Sequence, residues 1–150
     1  MRARRLVVAV AVAVATATVL PPTIAAADHR AGPCPLHQLE GETIEHFSKR
    51  LIRCGVRQLG SVPGGAARAI CIAERESGLD PSASSPTGQY LGLFQHAKTY
   101  WPGRYDTHTK PVWELPTRAT HGRTNAIVTI RMVRAYGTWS DAGWPVKDCR

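Results

Sequence analysis

The stretch Glu74-Arg75-Glu76-Ser77-Gly78-Leu79-Asp80-Pro81 decides how the rest of the chain is read. Gly78 can take the left-handed conformation that closes a helix, and Pro81 prevents the helix from resuming. Upstream, Ile70, Cys71 and Ile72 are consecutive apolar residues, more than a one-sided surface helix needs. A helix from about Gly64 to Ser77, central and covered on more than one side, is therefore expected. At about 100° per residue, Glu76 falls within roughly 45° of the mean direction of Ala66, Ala69, Ile70, Ile72 and Ala73. Glu74 lies more than about 100° from that direction, and Arg75 points nearly opposite. Glu76 thus projects from the core-facing side at the last turn, where a cleft can open. Such a place raises a carboxyl pKa and keeps the acid protonated near neutral pH. A helix-end carboxylate in a surface ion pair is the plainer alternative.

On the N-terminal side, Gly60 to Gly65 is a break, and before it Glu42 to about Leu59 turns helical. Ile44, Phe47, Leu51 and Cys54 form one apolar stripe there. Lys49, Arg50, Arg53 and Arg57 make a basic face that reads as solvated, with a possible pull on an anionic surface. On the C-terminal side, Asp80 to Trp113 is rich in Ser, Pro, Gly and aromatics without helical period. Gly88 and Gly92 punctuate Tyr90, Leu91, Leu93 and Phe94, which suggests short strands or a hairpin around Thr87 to Phe94. Residues 102–120 read as loop. A third helix is signalled from about Thr124 to Tyr136 by Ile127, Ile130, Met132 and Val133, with Gly137 as its stop. The fold class that follows is mainly α: a helical domain with a small irregular or β insert flanking a cleft.

The chain opens with Arg2, Arg4 and Arg5, an apolar run from Leu6 to Leu20, and Ala25-Ala26-Ala27 before Asp28. That order is expected of a secretory signal over residues 1–27, and the run is short for a bilayer span. The Arg4-Arg5 pair alone is a weak hint of a twin-arginine route. Residues 28–41, with Gly32, Pro33, Pro35 and Gly41, form an irregular lead-in to a single domain over 42–150. Without its first 27 residues the chain carries sixteen Lys and Arg against eleven Asp and Glu, a net of +5. That suits cell wall or another polyanionic surface. No helix-turn-helix, zinc-finger or RNP-like signature accompanies the charge, so nucleic acid is not expected as a partner. Cys34, Cys54, Cys71 and Cys149 all follow the signal and imply two disulfides, since none sit at zinc-site spacing. Three pairings are possible. Folding the first two helices back across the Gly60–Gly65 break favours Cys54 with Cys71, leaving Cys34 with Cys149, although Cys71 points away from the Ala66–Ala73 face.

Glu74-Arg-Glu-Ser-Gly-Leu-Asp-Pro-Ser-Ala83, followed sixteen residues after Glu76 by Gly92-Leu-Phe-Gln95, resembles two motifs of the soluble lytic transglycosylases in the lysozyme superfamily. The similarity spans roughly Ala66 to Trp144 and is close to the small secreted bacterial forms. It implies Glu76 as the single catalytic acid, Ser77 beside it holding substrate, and Gln95 on the cleft wall with Gly92 allowing close backbone approach. Tyr136, in Arg134-Ala-Tyr-Gly-Thr-Trp139, stands where the family has an Ala-Tyr-Asn motif that is absent here as such. Asn125 reads either as a cleft residue or as a helix N-cap. The implied substrate is peptidoglycan, with no cofactor or metal, no stable membrane insertion, and a monomeric protein.

A retaining glycosidase needs a second carboxylate about 5 Å from the first, and an inverting one needs it farther away. Gly88 to Tyr105 contains no Asp or Glu, and Asp80 before Pro81 reads as a turn residue. One carboxylate fits the transglycosylase route, which ends in a 1,6-anhydromuramyl group. Hydrolysis by a positioned water, with Asp106 as the second acid, is the alternative outcome. A non-catalytic wall-binding module and a charge-driven secreted protein are the non-enzymatic ones. Among the aromatics, Tyr90, Tyr100, Trp101, Trp139 and Trp144 suit either sugar stacking or core, with core favoured for Trp139 and Trp144.

Overall fold

The computed structural model describes residues 32–109 and 113–149. The expected export signal over 1–27 and the first part of the lead-in lie outside the described residues. The described chain is mainly helical with a small antiparallel sheet, in the order α1 (Ile44–Leu59), α2 (Gly65–Ser77), β1 (Tyr90–Leu91), β2 (His96–Ala97), α3 (Trp101–Thr109) and α4 (Gly122–Tyr136). None of its helices is long and apolar enough to cross a membrane.

Helix α1 starts two residues later than Glu42 because Thr43 is its cap, accepting from His46 N at 3.2 Å. Glu42 instead takes Arg50 and the Leu39 amide onto its carboxylate. Helix α2 ends as its sequence implies: Gly78 is left-handed at φ 63°, and its N–H caps the Ala73 and Glu74 carbonyls. Its centrality is corrected. Only Ala69, Ile72 and Ala73 of α2 are buried, and Ile70 and Cys71 are half-buried. The central helix is α4, which is buried continuously from Arg123 to Ile130 and again at Met132 and Val133. Polar residues such as Thr124, Asn125 and Thr129 hide this in the sequence, because their hydrogen bonds are met inside. Helix α1 reaches α4 closely at Gly55, where a Cβ would stand 2.4 Å from Ile130 Cδ1.

The segment 102–120 is corrected as well, since its first part is α3. Pro102 and Gly103 argue against a helix by composition, yet Pro is tolerated in a first turn. Trp101, Tyr105 and Thr109, spaced by four, turn one face inward. Trp101 Nε1 donates to Thr117 O at 2.6 Å and Tyr105 Oη to Leu115 O at 2.5 Å, which ties the loop after α3 back onto it. The hairpin sits a few residues later than expected, pairing Tyr90 with Ala97 and Leu91 with His96, so that Gly92 to Gln95 is its turn. Trp139 and Trp144 are core residues, as read, and pack with Phe94 at ring-centroid separations of 6.1 Å.

Two disulfides are present, but the expected pairing is overturned: Cys34 joins Cys54, and Cys71 joins Cys149. The buried face of α2 is its alanine face, so half-buried Cys71 is left to meet the C-terminal tail. Arg75 holds the same tail, donating to Pro145 O at 2.9 Å. Cys54 faces the lead-in, which Arg123 of α4 pins by donating to the Pro33 and Gly32 carbonyls. Each bridge therefore staples an irregular end to the helix it already touches. By chain entropy, loops of 20 and 78 residues are worth about 3 and about 4–5 kcal/mol.

Candidate active site

Glu76 is set by the last turn of α2, and its side chain is 25 % exposed. It opens on a hollow of about 370 Å³ walled by Tyr90, Gln95, Gly143, Trp144 and Pro145. A neighbouring hollow of about 190 Å³ shares Tyr90, Gln95, Gly143 and Trp144 and extends to Tyr100 and Arg104. A third, of about 470 Å³, shares Tyr100, Arg104 and Gly143 and runs on to His108 and Tyr136. Shared walls make the three one groove, with Glu76 at one end and the larger volume at the other. Of the described residues that line the first two hollows, Glu76 is the only carboxylate.

Burial pushes the Glu76 carboxyl above its ordinary range, and Arg75 pulls the other way. Arg75 Nη2 stands 3.7 Å from Glu76 Oε1, and the same guanidinium serves Pro145 O and Asp148. The two sequence readings of Glu76 thus coexist: it is partly desolvated, and it has a long contact to a neighbouring cation that helical projection had turned away. Glu74 is exposed.

The hairpin turn is built against Glu76 by a set of internal bonds. Ser77 Oγ lies 2.8 Å from Leu93 O and 3.0 Å from Ala73 O, so its single proton is committed to joining helix and turn. Gly92, at φ 78°, is buried, and a Cβ there would stand 2.1 Å from Ala119 O. The close approach that needs glycine is therefore by the chain before α4 and the Asn125 side chain. Gln95 lines the groove from a left-handed backbone (φ 47°), and its Nε2 donates to Gly92 O at 2.9 Å and Ala83 O at 3.3 Å. With both amide hydrogens used, Oε1 is the atom left to meet a ligand. A non-glycine residue in that region costs of order 1 kcal/mol, and here the strain aims a polar side chain into the groove.

Tyr90 is 47 % exposed and forms groove wall. Tyr136 is 57 % exposed and stands at the far end with Arg104, apart from the hollow at Glu76. Two sequence candidates are placed elsewhere. Trp101 is buried against His96 and borders a separate hollow that holds Asp106, so neither lines the space around Glu76. Asn125 is wholly buried and is not the cap of α4; His121 is. Asn125 Oδ1 accepts from Phe94 N at 2.9 Å, and its Nδ2 donates to Ala119 O at 2.8 Å and Leu91 O at 3.4 Å. Asp80 is a turn residue as read, accepting from Ser82 N and Oγ.

The chain matches no family model, no curated protein and no solved structure.

Some groove residues were read only in part from the sequence, and Arg104 escaped it. Trp144 is core by burial, with its Nε1 donating to Phe94 O at 2.8 Å, yet its ring edge also lines the groove. Tyr100, left open between core and sugar stacking, lies just before α3 on the groove wall, and Arg104 lies on α3, whose helical nature the composition concealed. Buried His96 lies below them, its pKa lowered to about 3 by burial and by the Arg104 and His108 charges. Chemically, the described lining of the hollow at Glu76 offers one acid whose pKa is raised by burial, a polar acceptor beside it, and aromatic walls of the kind that stack on sugar rings.

Proposed function

We propose that this chain is a peptidoglycan-cleaving enzyme of lytic transglycosylase type, acting outside the cytoplasm after removal of residues 1–27. The observation that carries the reading is partly buried Glu76 at the end of a groove, the one carboxylate in the described lining of its own hollow, its pKa raised by desolvation. The ERES and GLFQ motifs around it supply the substrate class, and two disulfides suit an oxidising compartment. In this mechanism Glu76 gives its proton to the oxygen linking the muramyl C1 to the next sugar. The C1–O bond breaks, and the leaving sugar departs with its hydroxyl restored. The Glu76 carboxylate then takes the proton of the muramyl 6-hydroxyl as its oxygen bonds to C1. Glu76 is reprotonated, and water is neither consumed nor released. Burial suits both halves, since the acid must hold a proton at working pH and then regain it.

The absence of a second carboxylate from the hollow lining supports this route over hydrolysis, and Asp106, the acid suspected for hydrolysis, borders a separate hollow. Incubating the protein with insoluble peptidoglycan and measuring released muropeptides by mass tests the reading. Soluble fragments with anhydro ends are expected from the wild type and none from Glu76→Gln. No release from the wild type would leave a wall-binding module and overturn catalysis.

A further inference from the structure

Arg104 is the cation of the groove and lines its second and third hollows. It is half-buried, with its guanidinium 5.7 Å from the Tyr100 ring and 6.0 Å from the Trp144 ring. Its Nη1 lies 3.0 Å from Nδ1 of His96, which is fully buried. On the other side of that imidazole, Nε2 is 2.8 Å from Thr129 Oγ1, and the Thr129 hydroxyl donates to Asn125 O at 2.8 Å. Since the threonine proton is used, His96 must carry its hydrogen on Nε2 and accept on Nδ1. The guanidinium is thus held from below by a neutral imidazole of fixed tautomer. One of its five N–H groups is spent on that bond, and among the described residues it forms no ion pair: Asp141, which lines the third hollow with it, accepts from Thr138 Oγ1 at 2.7 Å and makes no salt bridge to it. Taking a cation out of water without a counter-charge is unfavourable, and a planar guanidinium fork is matched by a carboxylate. The partner it lacks is therefore one that a ligand brings.

We infer that Arg104 binds a carboxylate on the muramyl residue or its peptide stem, so that the groove selects carboxylate-bearing wall strands over uncharged glycan. This rests on the glycan-cleaving reading of Glu76. Two sources offer the same chemistry: a carboxylate of the stem peptide, and the lactyl carboxylate exposed when the stem is removed. Muramyl dipeptide presents the first, N-acetylmuramic acid the second, and chitotriose neither.

The test is calorimetric titration of these three ligands into Glu76→Gln, which cannot turn them over, and into the same variant carrying Arg104→Gln or Arg104→Lys. Loss of a charged hydrogen-bonding partner is expected to raise Kd about tenfold or more for whichever carboxylate source is used. Chitotriose affinity is expected to stay within about twofold, which also reports a folded groove, and lysine is expected to restore affinity in part. Preference for muramyl dipeptide assigns the stem, and preference for N-acetylmuramic acid assigns the lactyl group. Chitotriose binding as tight as the acids, or weakened equally by Arg104→Gln, overturns the anion site while leaving glycan binding intact. No binding of any ligand, together with no muropeptide release, overturns the glycan reading and this inference with it.

Discussion

Glu76 and Asn125 are both polar, both near helix ends, and both next to the Gly92–Gln95 turn, yet the structure uses them in opposite ways. Asn125 spends its side chain on the turn and the chain before α4, with bonds to Phe94 N, Ala119 O and Leu91 O, and is wholly buried. Glu76 is a quarter exposed and has one long contact, 3.7 Å, to an arginine shared with the tail. The amide is saturated and therefore structural. The carboxyl is partly desolvated and open to the groove, with hydrogen-bonding capacity to spare, which is why the proposed function rests on it. Ser77 falls on the Asn125 side of the division despite adjoining Glu76, since its proton is committed to backbone carbonyls.

The largest effect expected separates the pair outright. Glu76→Gln should cut wall-lytic activity by about 10²–10⁴-fold, the range for removing a general acid, with an unchanged melting temperature. Asn125→Ala should do the reverse, leaving up to three buried backbone groups unpaired at about 1–3 kcal/mol each, seen as a large drop in melting temperature. An Asn125→Ala protein of normal melting temperature and no activity would break the comparison.

Next in size is Gly92→Ala. Its Cβ would meet Ala119 O at 2.1 Å from a left-handed backbone, so a loss of about 3 kcal/mol or more is expected in denaturant unfolding. A near-neutral result would show that the turn is not fixed by the chain packed behind it.

A smaller effect should appear with pH. His96 is held neutral with a pKa of about 3, below its ordinary 6.5, first by burial and then by Arg104 and His108. Between those values the unfolded chain binds the extra proton, so the group costs nothing above pH 6.5 and weakens the fold as pH falls toward 3. Its share is at most about 1.4 kcal/mol per pH unit. Melting temperatures of wild type and His96→Gln between pH 7 and 4 should converge on acidification, and parallel curves would contradict a neutral buried imidazole.

The smallest change concerns the basic face of α1, far from either residue. Lys49 pairs with exposed Glu45, so Lys49→Gln should leave the melting temperature essentially unchanged, and a clear drop would show the pair to be structural.

Helices α1, α2 and α4 were legible because apolar stripes and stops such as Gly78 and Gly137 act locally, while the Thr43 cap that sets the start of α1 was not read. What stayed hidden was settled by tertiary partners. Helix α3 relies on Trp101 and Tyr105 donating to carbonyls beyond it, which no local pattern reports. The disulfides follow which face of α2 is buried, and the Ile70-Cys71-Ile72 run suggested that both faces were. Glu76 was singled out by its projection and motif, and it does line the groove. Arg104 was missed because its support is a buried His96–Thr129 chain assembled from three separate segments.

The central claim is that one carboxyl acts as acid and then base without a water. Digesting peptidoglycan with the wild-type protein in heavy-oxygen water tests it most directly. The account predicts muropeptides lighter by one water than their hydrolysed counterparts, with anhydro ends and no label, and none from Glu76→Gln. Reducing ends carrying the heavy oxygen, or equal release by Glu76→Gln, would contradict it.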